Sequence, residues 1–344
     1  MHVISVLHLK EICERILLAV NTPPPIAKAM ADNLVNANVQ AVDSHGCRLL
    51  PSYIERIVDG LIVPAAEAEI VTQKGAITIM DGHWGFGQIA AALAARHAVE
   101  SARAQGIGAA AVFHVYHIGR VGEFVEYIAR QSMVGIAICN VEPATVPFGG
   151  RKRRFGTNPL AIAVPRRDGK ILLSDFATSA KSGNKIVLTS QKGEQLHQGI
   201  IIDRDGNPTT DVQDFLNGGA ILPFGGYKGY AINMMIEILA GLLVGAGSGA
   251  LKQPWRDSGS LIVALDIATF RSVVDFESDV DALLDVAKAT PTAPGVEEIL
   301  LPGEIESRET ERRRLTGIPV DDEAWGQLCE TGLKLGLPPE LFAL

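Results

Sequence analysis

The 344-residue sequence predicts a mixed α/β (α+β) fold with a largely antiparallel sheet. Hydrophobic residues make up 47% of the chain and charged residues 20%, a balance typical of a globular protein with a large core. Apolar residues recur at helical spacing near both ends, whereas short β-rich runs fill the middle. We therefore expect mainly helical segments at residues 1–75 and 280–344 and a mixed α/β region at 76–279, with approximate boundaries.

Two amphipathic helices are predicted between residues 8 and 42, separated by the prolines at 23–25. The turn Asp43-Ser44-His45-Gly46 precedes a third helical pattern that stops at Gly60. Residues 44–48 are therefore expected at a helix N-terminus, where unpaired backbone N–H groups favour an anionic ligand.

Five short β-rich runs follow one another closely enough to favour antiparallel pairing for most of them. They lie at residues 76–80, 109–115, 135–140, 160–164 and 171–175. An Ala-rich helix is expected over 88–105 and a shorter one over 123–130. Beyond them, 228–244 predicts a buried helix, 260–267 a strand, and the charged tail from 279 further helices.

Charge and cysteine content exclude several classes of protein. The formal net charge of −8, from 31 basic and 39 acidic side chains, would repel a phosphate backbone, so we expect no nucleic-acid partner. The most apolar stretch, 234–247, is too short for a membrane span and contains Glu237. The four cysteines show no CxxC spacing, which indicates a cytoplasmic protein without a disulfide framework or an obvious zinc site.

A possible dinucleotide fingerprint, Gly85-x-Gly87-x-x-Ala90, lies between a predicted strand and a helix. The next strand ends in Phe113-His114-Val115 and lacks the acidic residue that would bind the ribose. These glycines are better explained by a tight entry into the helix.

His45 is the strongest candidate for acid/base chemistry, because an imidazole at a helix start is directional and titrates near neutral pH. Arg48 follows one turn later and could bind a carboxylate in a bidentate manner while His45 exchanges a proton with an adjacent oxygen. That pairing would suit a 2-oxo or 2-hydroxy acid. A plain helix cap remains the alternative for Ser44 and His45.

The segment from His117 to Gly122 joins a strand to a helix and could cradle a phosphate. His114 and His117 could instead bind a metal, but no third ligand is near in sequence, so we expect none. Three further loops, at 156–159, 175–179 and 225–229, combine glycines, hydroxyls and a charge suited to a cofactor site. A serine hydrolase is disfavoured, because the sequence has no GxSxG elbow.

Seven blocks together resemble the malate/L-lactate dehydrogenase family of the non-Rossmann type. In chain order they are Asp43-Ser-His-Gly46 with Arg48 and Tyr53, His117-x-Gly119-Arg120, Pro147-Phe-Gly-Gly150, Phe155-Gly-Thr-Asn-Pro159, Asp175-x-Ala-Thr-Ser179, Lys228-Gly-Tyr230 and Leu301-Pro-Gly-Glu304. The resemblance implies NAD- or NADP-linked interconversion of a 2-oxo acid and a 2-hydroxy acid by a homodimer whose active site is shared between subunits. It also implies a non-Rossmann cofactor-binding sheet and a helical domain, for substrate binding and dimerisation, built from both termini.

The resemblance also implies roles for individual residues. Ser44 would orient His45, His45 would exchange the proton with the substrate, and Arg48 and Thr157 would hold the substrate. His117 is the second candidate for the acid/base group. The residues implied for cofactor binding are His117, Ile118, Gly119, Arg120, Val121, Asp175, Phe176, Ala177, Lys228, Gly229 and Glu304.

One position bears on the substrate. Relatives that reduce cyclic imines carry an acidic residue ten places after the motif aspartate, where this chain has Lys185, implied to be catalytic. A cation at this position suits an oxyacid better than a cationic imine, so a 2-oxo or 2-hydroxy acid is the favoured substrate. Reduction of a cyclic imine is the alternative activity. A non-catalytic nucleotide-binding protein is the alternative class. The basic run 151–154 is only a suggestion of a 2′-phosphate site, so the choice between NAD and NADP stays open.

Overall fold

A computed structural model describes residues 1–191, 194–252, 255 and 257–343. The helices are α1 (Val6–Ala19), α2 (Pro24–Val39), α3 (Leu50–Val58), α4 (Gly87–Gln105), α5 (Gly122–Ala129), α6 (Gly183–Gln191), α7 (Val212–Leu216), α8 (Tyr227–Ile236), α9 (Ile267–Phe270), α10 (Val273–Lys288), α11 (Glu304–Thr316) and α12 (Asp322–Lys334). The strands are β1 (His2–Ile4), β2 (Glu69–Lys74), β3 (Ile77–Asp81), β4 (Ile107–Phe113), β5 (Met133–Cys139), β6 (Leu160–Pro165), β7 (Ile171–Phe176), β8 (Ile201–Ile202), β9 (Pro208–Thr209), β10 (Ala220–Ile221), β11 (Ser260–Asp266) and β12 (Ile318–Val320).

The centre of the molecule is a seven-stranded sheet in the order β2-β3-β4-β11-β5-β6-β7. The pair β3 and β4 is parallel, with α4 as the crossover between them, and the other neighbouring strands pair antiparallel. The predicted mixed α/β fold with a largely antiparallel sheet is thereby confirmed. All five predicted β-rich runs and the run at 260–267 lie in this sheet.

The edge strand β2 was not predicted. All six of its residues are exposed, so burial does not impose the apolar alternation by which a strand is recognised in a sequence. The short strands β8, β9 and β10 form a separate three-stranded sheet in a region that the sequence analysis left without elements. Helix α6 lies in the same region.

The two ends of the chain share one core. Strand β1 pairs antiparallel with β12, and buried side chains of α1, α2 and α3 pack with those of α12. Leu9, Leu34 and Leu328 are fully buried in this cluster. The terminal helices therefore form a body that holds the turn containing His45.

The predicted buried helix at 228–244 is only partly correct. Helix α8 ends at Ile236 and continues as a π-helical turn over Glu237–Leu242. Its inner face carries polar side chains, Asn233 and Glu237, which are 1% and 3% exposed, while several aliphatic side chains face outward. The expectation of complete burial was wrong because the sequence is apolar all round and does not reveal which side faces the core. No helix in the described ranges is long and apolar enough to span a membrane.

Candidate active site

Two short 3₁₀ turns, Asp43–His45 and Cys47–Leu49, carry the first predicted site residues. They come directly before α3, so residues 44–48 precede the helix start instead of forming it, which corrects the prediction. Asp43 fixes the first turn, because its carboxylate accepts from Asn38 Nδ2 at 2.7 Å and from Arg313 Nη1 at 2.7 Å. The dipole of α3 therefore acts one turn further along the chain than expected.

His45 and His117 lie face to face, with ring centroids 5.8 Å apart and planes inclined by 18°. Ser44 Oγ lies 3.1 Å from His45 Nδ1, as the implied orienting role requires. Burial, together with the positive charges of His117, Lys185 and Arg120, lowers the pKa of His45 to about 3. Burial also lowers the pKa of His117 to about 4. Both rings are therefore neutral at pH 7 in the free protein.

The hydrogen bonds of His117 determine which ring nitrogen carries the proton. Its Nδ1 accepts hydrogen bonds from the Tyr53 hydroxyl at 2.5 Å and from the Gly119 N–H at 3.3 Å. Gln88 Nε2 donates to the Tyr53 oxygen at 2.7 Å, which leaves the hydroxyl proton directed at the ring. With two donors on Nδ1, the neutral ring has its proton on Nε2. Gln88 was missed by the sequence analysis, because glutamine near the start of an Ala-rich helix carries no functional signal.

His114, the other half of the rejected metal pair, is engaged elsewhere. Its Nδ1 lies 3.0 Å from Asp81 Oδ2. His114 also has a positive φ of 52°, which turns the chain between β4 and the His117 segment. The two imidazoles thus have separate partners, Asp81 and Tyr53.

Two cavities meet at the histidine pair. The smaller cavity has a volume of about 310 Å³ and the larger cavity about 880 Å³. The residues that line both are His45, Gly119, Val121, Thr157, Pro159 and Ser182. Two ligands bound side by side would therefore meet next to His45 and Thr157.

The larger cavity contains most of the residues implied for the cofactor. They are Gly119, Arg120, Val121, Asp175, Phe176 and Ala177, together with Lys185, while His117 and Ile118 line the smaller cavity. Asp175 accepts the Gly122 N–H at 2.9 Å, and burial raises the pKa of its carboxyl group. The buried Arg120 donates to Glu126 at 3.0 Å, while its Nε finds no partner in the described ranges. The unsatisfied Arg120 Nε–H and the ammonium group of Lys185 are donors suited to an anionic ligand.

Besides Ser44, which lies behind His45, four residues implied for the site are outside the lining of both cavities. Lys228 is exposed at the start of α8, and Gly229 packs so tightly that a Cβ there would lie 2.1 Å from the Phe224 carbonyl oxygen. Glu304 accepts the Leu301 N–H at 2.9 Å, although Gly303 and Glu306 beside it line the larger cavity.

Arg48 is the fourth of these residues. Its Nη1 lies 3.5 Å from Asp321 Oδ2, in the turn before α12. Within the described part of a single chain, Arg48 is therefore beside the C-terminal body and not in the wall of either cavity. The implied substrate contact of Arg48 stays a prediction.

One wall of the smaller cavity was missed. Tyr116, Trp255, Asp257 and Ser258 line it. Ser258 Oγ donates to the Tyr116 carbonyl oxygen at 2.6 Å, and Asp257 Oδ1 accepts the Val115 N–H at 3.1 Å. These contacts join segments about 140 positions apart, and short motifs carry no signal of such pairing.

Gly85 and Gly87, the glycines of the pattern that resembles a dinucleotide fingerprint, have structural roles. A Cβ at Gly87 would lie 2.4 Å from the His117 carbonyl oxygen, and one at Gly85 would lie 2.7 Å from the Ala66 carbonyl oxygen. Gly87 thus allows α4 to begin directly against the His117 segment. This agrees with the expectation that these glycines permit a tight entry into the helix.

The fold and site together indicate a small-molecule enzyme in which two cavities adjoin beside a pair of neutral imidazoles. Residues 4–329 match the model of a protein family described as malate/L-lactate dehydrogenase. Hydroxycarboxylate dehydrogenase B of Escherichia coli strain K12 is 36% identical over 324 residues, covering 91% of this chain and 89% of the relative. The chain belongs to the malate/L-lactate dehydrogenase family.

Solved structures agree with this assignment. Sulfolactate dehydrogenase from Methanocaldococcus jannaschii superposes with a TM-score of 0.90 at 34% identity, covering 98% of this chain and 99% of that one. A Δ1-piperideine-2-carboxylate reductase from Pseudomonas syringae superposes with a TM-score of 0.83 at 30% identity, covering 96% and 100%. The predicted family and the enzyme class, a 2-hydroxy acid dehydrogenase, are thereby confirmed.

Proposed function

We propose that the protein uses NAD or NADP to interconvert a small 2-oxo acid and the corresponding 2-hydroxy acid. The observation that carries the proposal is the position of His45, which faces His117 where the two cavities meet. The cofactor would occupy the larger cavity and the acid the smaller one. Membership of a malate/L-lactate dehydrogenase family supports the same reaction.

The larger cavity would hold the cofactor through Arg120, Asp175 and the segment 176–177. Arg120 and Lys185 supply positive charge for phosphate oxygens, and the Asp175 carboxylate can accept a ribose hydroxyl or an amide N–H. When bound, the nicotinamide exchanges a hydride with the carbon that bears the substrate oxygen.

In the direction of oxidation, His45 accepts the proton of the substrate hydroxyl through Nε2, while Ser44 Oγ holds Nδ1. In the direction of reduction, the protonated ring returns that proton to the carbonyl oxygen. His117 is the second candidate, for the acid role: because Tyr53 and Gly119 donate to its Nδ1, its Nε2 carries the proton and can donate to the carbonyl oxygen. A bound carboxylate would stabilise the imidazolium form.

Thr157 and Arg48 are proposed to hold the substrate carboxylate. Thr157 lines both cavities, whereas Arg48 would have to leave Asp321. The two charged groups are 3.5 Å apart and the Asp321 side chain is 41% exposed, so a substrate carboxylate can compete with Asp321 for Arg48. Arg48→Lys keeps the charge but loses the bidentate geometry, and should raise the KM for the 2-oxo acid about tenfold. Asp321→Asn is the matched variant and should leave this KM unchanged or lower it.

The decisive experiment measures the absorbance of NADH and NADPH with a panel of 2-oxo acids and two cyclic imines. His45→Ala should lower kcat about 100- to 10,000-fold while cofactor affinity stays within about threefold, because the proton donor is lost and the larger cavity keeps its other walls. His97→Ala, which removes an imidazole paired with Glu100 on α4, serves as the control. Unchanged turnover in His45→Ala would remove His45 from the mechanism.

Reduction of a cyclic imine is the second candidate, supported by the superposition with the piperideine-2-carboxylate reductase. Lys185 argues against it, because a cation near His45 disfavours a cationic imine. Faster turnover of pyrroline-2-carboxylate than of every 2-oxo acid would establish this alternative. Cofactor binding without turnover across the panel would favour the non-catalytic class.

We further propose that the chain forms a homodimer, and that the interface lies on α8 in the 76–279 region and not on the terminal helices to which the resemblance assigned dimerisation. Five apolar side chains on α8, on the following π-helical turn and directly after it face solvent at helical spacing: Met235, Ile238, Leu239, Leu242 and Leu243. Each is between 39% and 67% exposed. An apolar stripe of this length is typical of a protein interface, and a second copy of the chain is the occupant that the family resemblance implies.

A further inference from the structure

A buried network of polar side chains lies behind the loop that carries Thr157. Its members, Asn140, Asn158, Thr178, Asn233 and Glu237, are at most 3% exposed. Asn158 Nδ2 donates to Glu237 Oε2 at 2.7 Å, and Asn140 Nδ2 donates to Glu237 Oε1 at 3.4 Å. The Glu237 carboxylate, on the π-helical turn, therefore joins the segment after β5 to the segment before β6.

Both joined segments line the cavities. Asn158 Oδ1 accepts the Val141 N–H at 3.1 Å, and Val141 lines the smaller cavity. Thr157 and Pro159, on either side of Asn158, line both cavities. Thr178 Oγ1 lies 3.0 Å from the carbonyl oxygens of both Thr157 and Asn158, which share its single hydroxyl proton. The network thus fixes the backbone of the wall that the two ligands would share.

The local backbone is held in an unfavourable conformation. Asn158 has a positive φ of 29°, which costs energy in a residue other than glycine and needs support from its surroundings. Glycines leave room for the amides: a Cβ at Gly156 would lie 2.4 Å from Asn158 Oδ1, and one at Gly241 would lie 2.5 Å from Asn140 Nδ2. A π-helical turn is itself a feature found often at functional sites.

We infer that Glu237 is a positioning residue of the proposed reaction: through Asn158, its carboxylate holds Thr157 and Pro159 at the junction of the two cavities. The inference rests on the proposed function. Both carboxylate oxygens accept from amide N–H groups, so glutamine at 237 would keep one acceptor and place a donor against another donor. The resulting shift of the Thr157 loop would displace the substrate from the reacting geometry, which strongly slows the chemical step.

The first test compares Glu237→Gln with Asp281→Asn. Asp281 is also a buried carboxylate, accepts from Arg166 Nε at 2.7 Å and Arg167 Nε at 3.0 Å, and lies outside both cavities. Glu237→Gln should lower kcat about 10- to 100-fold, with the cofactor Kd within about threefold of the parent. Asp281→Asn should lower the Tm with little change in kcat. A Glu237→Gln enzyme with the kcat of the parent would overturn the inference.

The second test does not depend on catalysis. Amide hydrogen exchange in peptides covering 139–146 and 156–163 should be accelerated in unliganded Glu237→Gln and unchanged in Asp281→Asn. Exchange equal to that of the parent would overturn the inference, whatever the activity. If the parent protein turns over no compound of the panel, the proposed function fails, and this measurement alone decides whether Glu237 fixes the loop.

A double variant tests the direct contact. Asn158→Asp alone would set two carboxylates against each other, whereas Asn158→Asp with Glu237→Gln restores a donor opposite an acceptor at the 2.7 Å contact. The double variant should therefore exchange more slowly at 156–163 and turn over faster than Asn158→Asp alone. Additive effects of the two substitutions would overturn the inference, because they would show that the two side chains act independently.

Discussion

Tyr53 connects the core of the terminal helices to the chemistry of His117. Its hydroxyl is held between Gln88 and His117 Nδ1, and burial raises its pKa, so it remains a hydrogen-bond donor throughout the neutral range. Tyr53→Phe removes one of the two donors on Nδ1 and should lower kcat about 10- to 100-fold, as expected for a lost buried hydrogen bond. Tyr127→Phe, on α5, is the matched control and should leave steady-state rates unaltered. Equal rates in Tyr53→Phe and the parent would show that His117 needs no orientation by Tyr53.

The neutral imidazoles predict different pH dependences for the two directions of the reaction. The pKa values of about 3 for His45 and about 4 for His117 leave both rings unprotonated well below pH 7. Oxidation requires a neutral ring, so its kcat/KM should stay level from about pH 8 to about pH 5. Reduction requires the protonated ring, whose population falls tenfold for each pH unit above its pKa. The kcat/KM for reduction should therefore fall by up to about tenfold for each unit that the pH rises between about 5 and about 8. Initial rates in both directions test this, and an inflection near pH 6.5 would contradict the desolvation of the rings.

At the scale of elements, α11 fixes the turn that carries His45. Arg313 is 6% exposed and donates to the Asn38 carbonyl oxygen at 2.6 Å and to both carboxylate oxygens of Asp43. Arg313→Met would remove the guanidinium from these acceptors and leave Asp43 with only the Asn38 amide as a side-chain donor among the described residues. It should lower the free energy of unfolding by about 2–3 kcal/mol, less than for a completely buried pair because Asp43 is one-third exposed. Arg312→Met, which breaks only an exposed pair with Glu309, should cost at most about 0.5 kcal/mol. Chemical denaturation measures both, and equal losses would show that Arg313 has no special role.

The sequence predicts those parts of the fold and site that depend on local patterns. The apolar runs of the sheet and the motifs around His45 and His117 are local, and the structure places both histidines at one junction. The ion pair of Arg48 with Asp321 and the wall containing Asp257 depend on contacts between distant segments. The polar inner face of α8 could not be predicted either, because burial of Glu237 is favourable only with its amide partners in place.

At the scale of the whole molecule, the apolar stripe on α8 and the π-helical turn should hold two copies of the chain together. A stable interface commonly covers about 800 Å² on each partner, and a charge at its centre is poorly tolerated. Leu242→Glu should therefore convert the dimer into a monomer, as measured by sedimentation velocity. Leu7→Glu, which changes an exposed leucine of α1 outside this stripe, should remain dimeric. Because the active site is proposed to be shared between subunits, the Leu242→Glu monomer should also lose at least about tenfold in kcat. A parent protein that sediments as a monomer, or a Leu242→Glu variant that stays dimeric, would show that this stripe is not the interface. A fully active monomer would show instead that each chain contains a complete site.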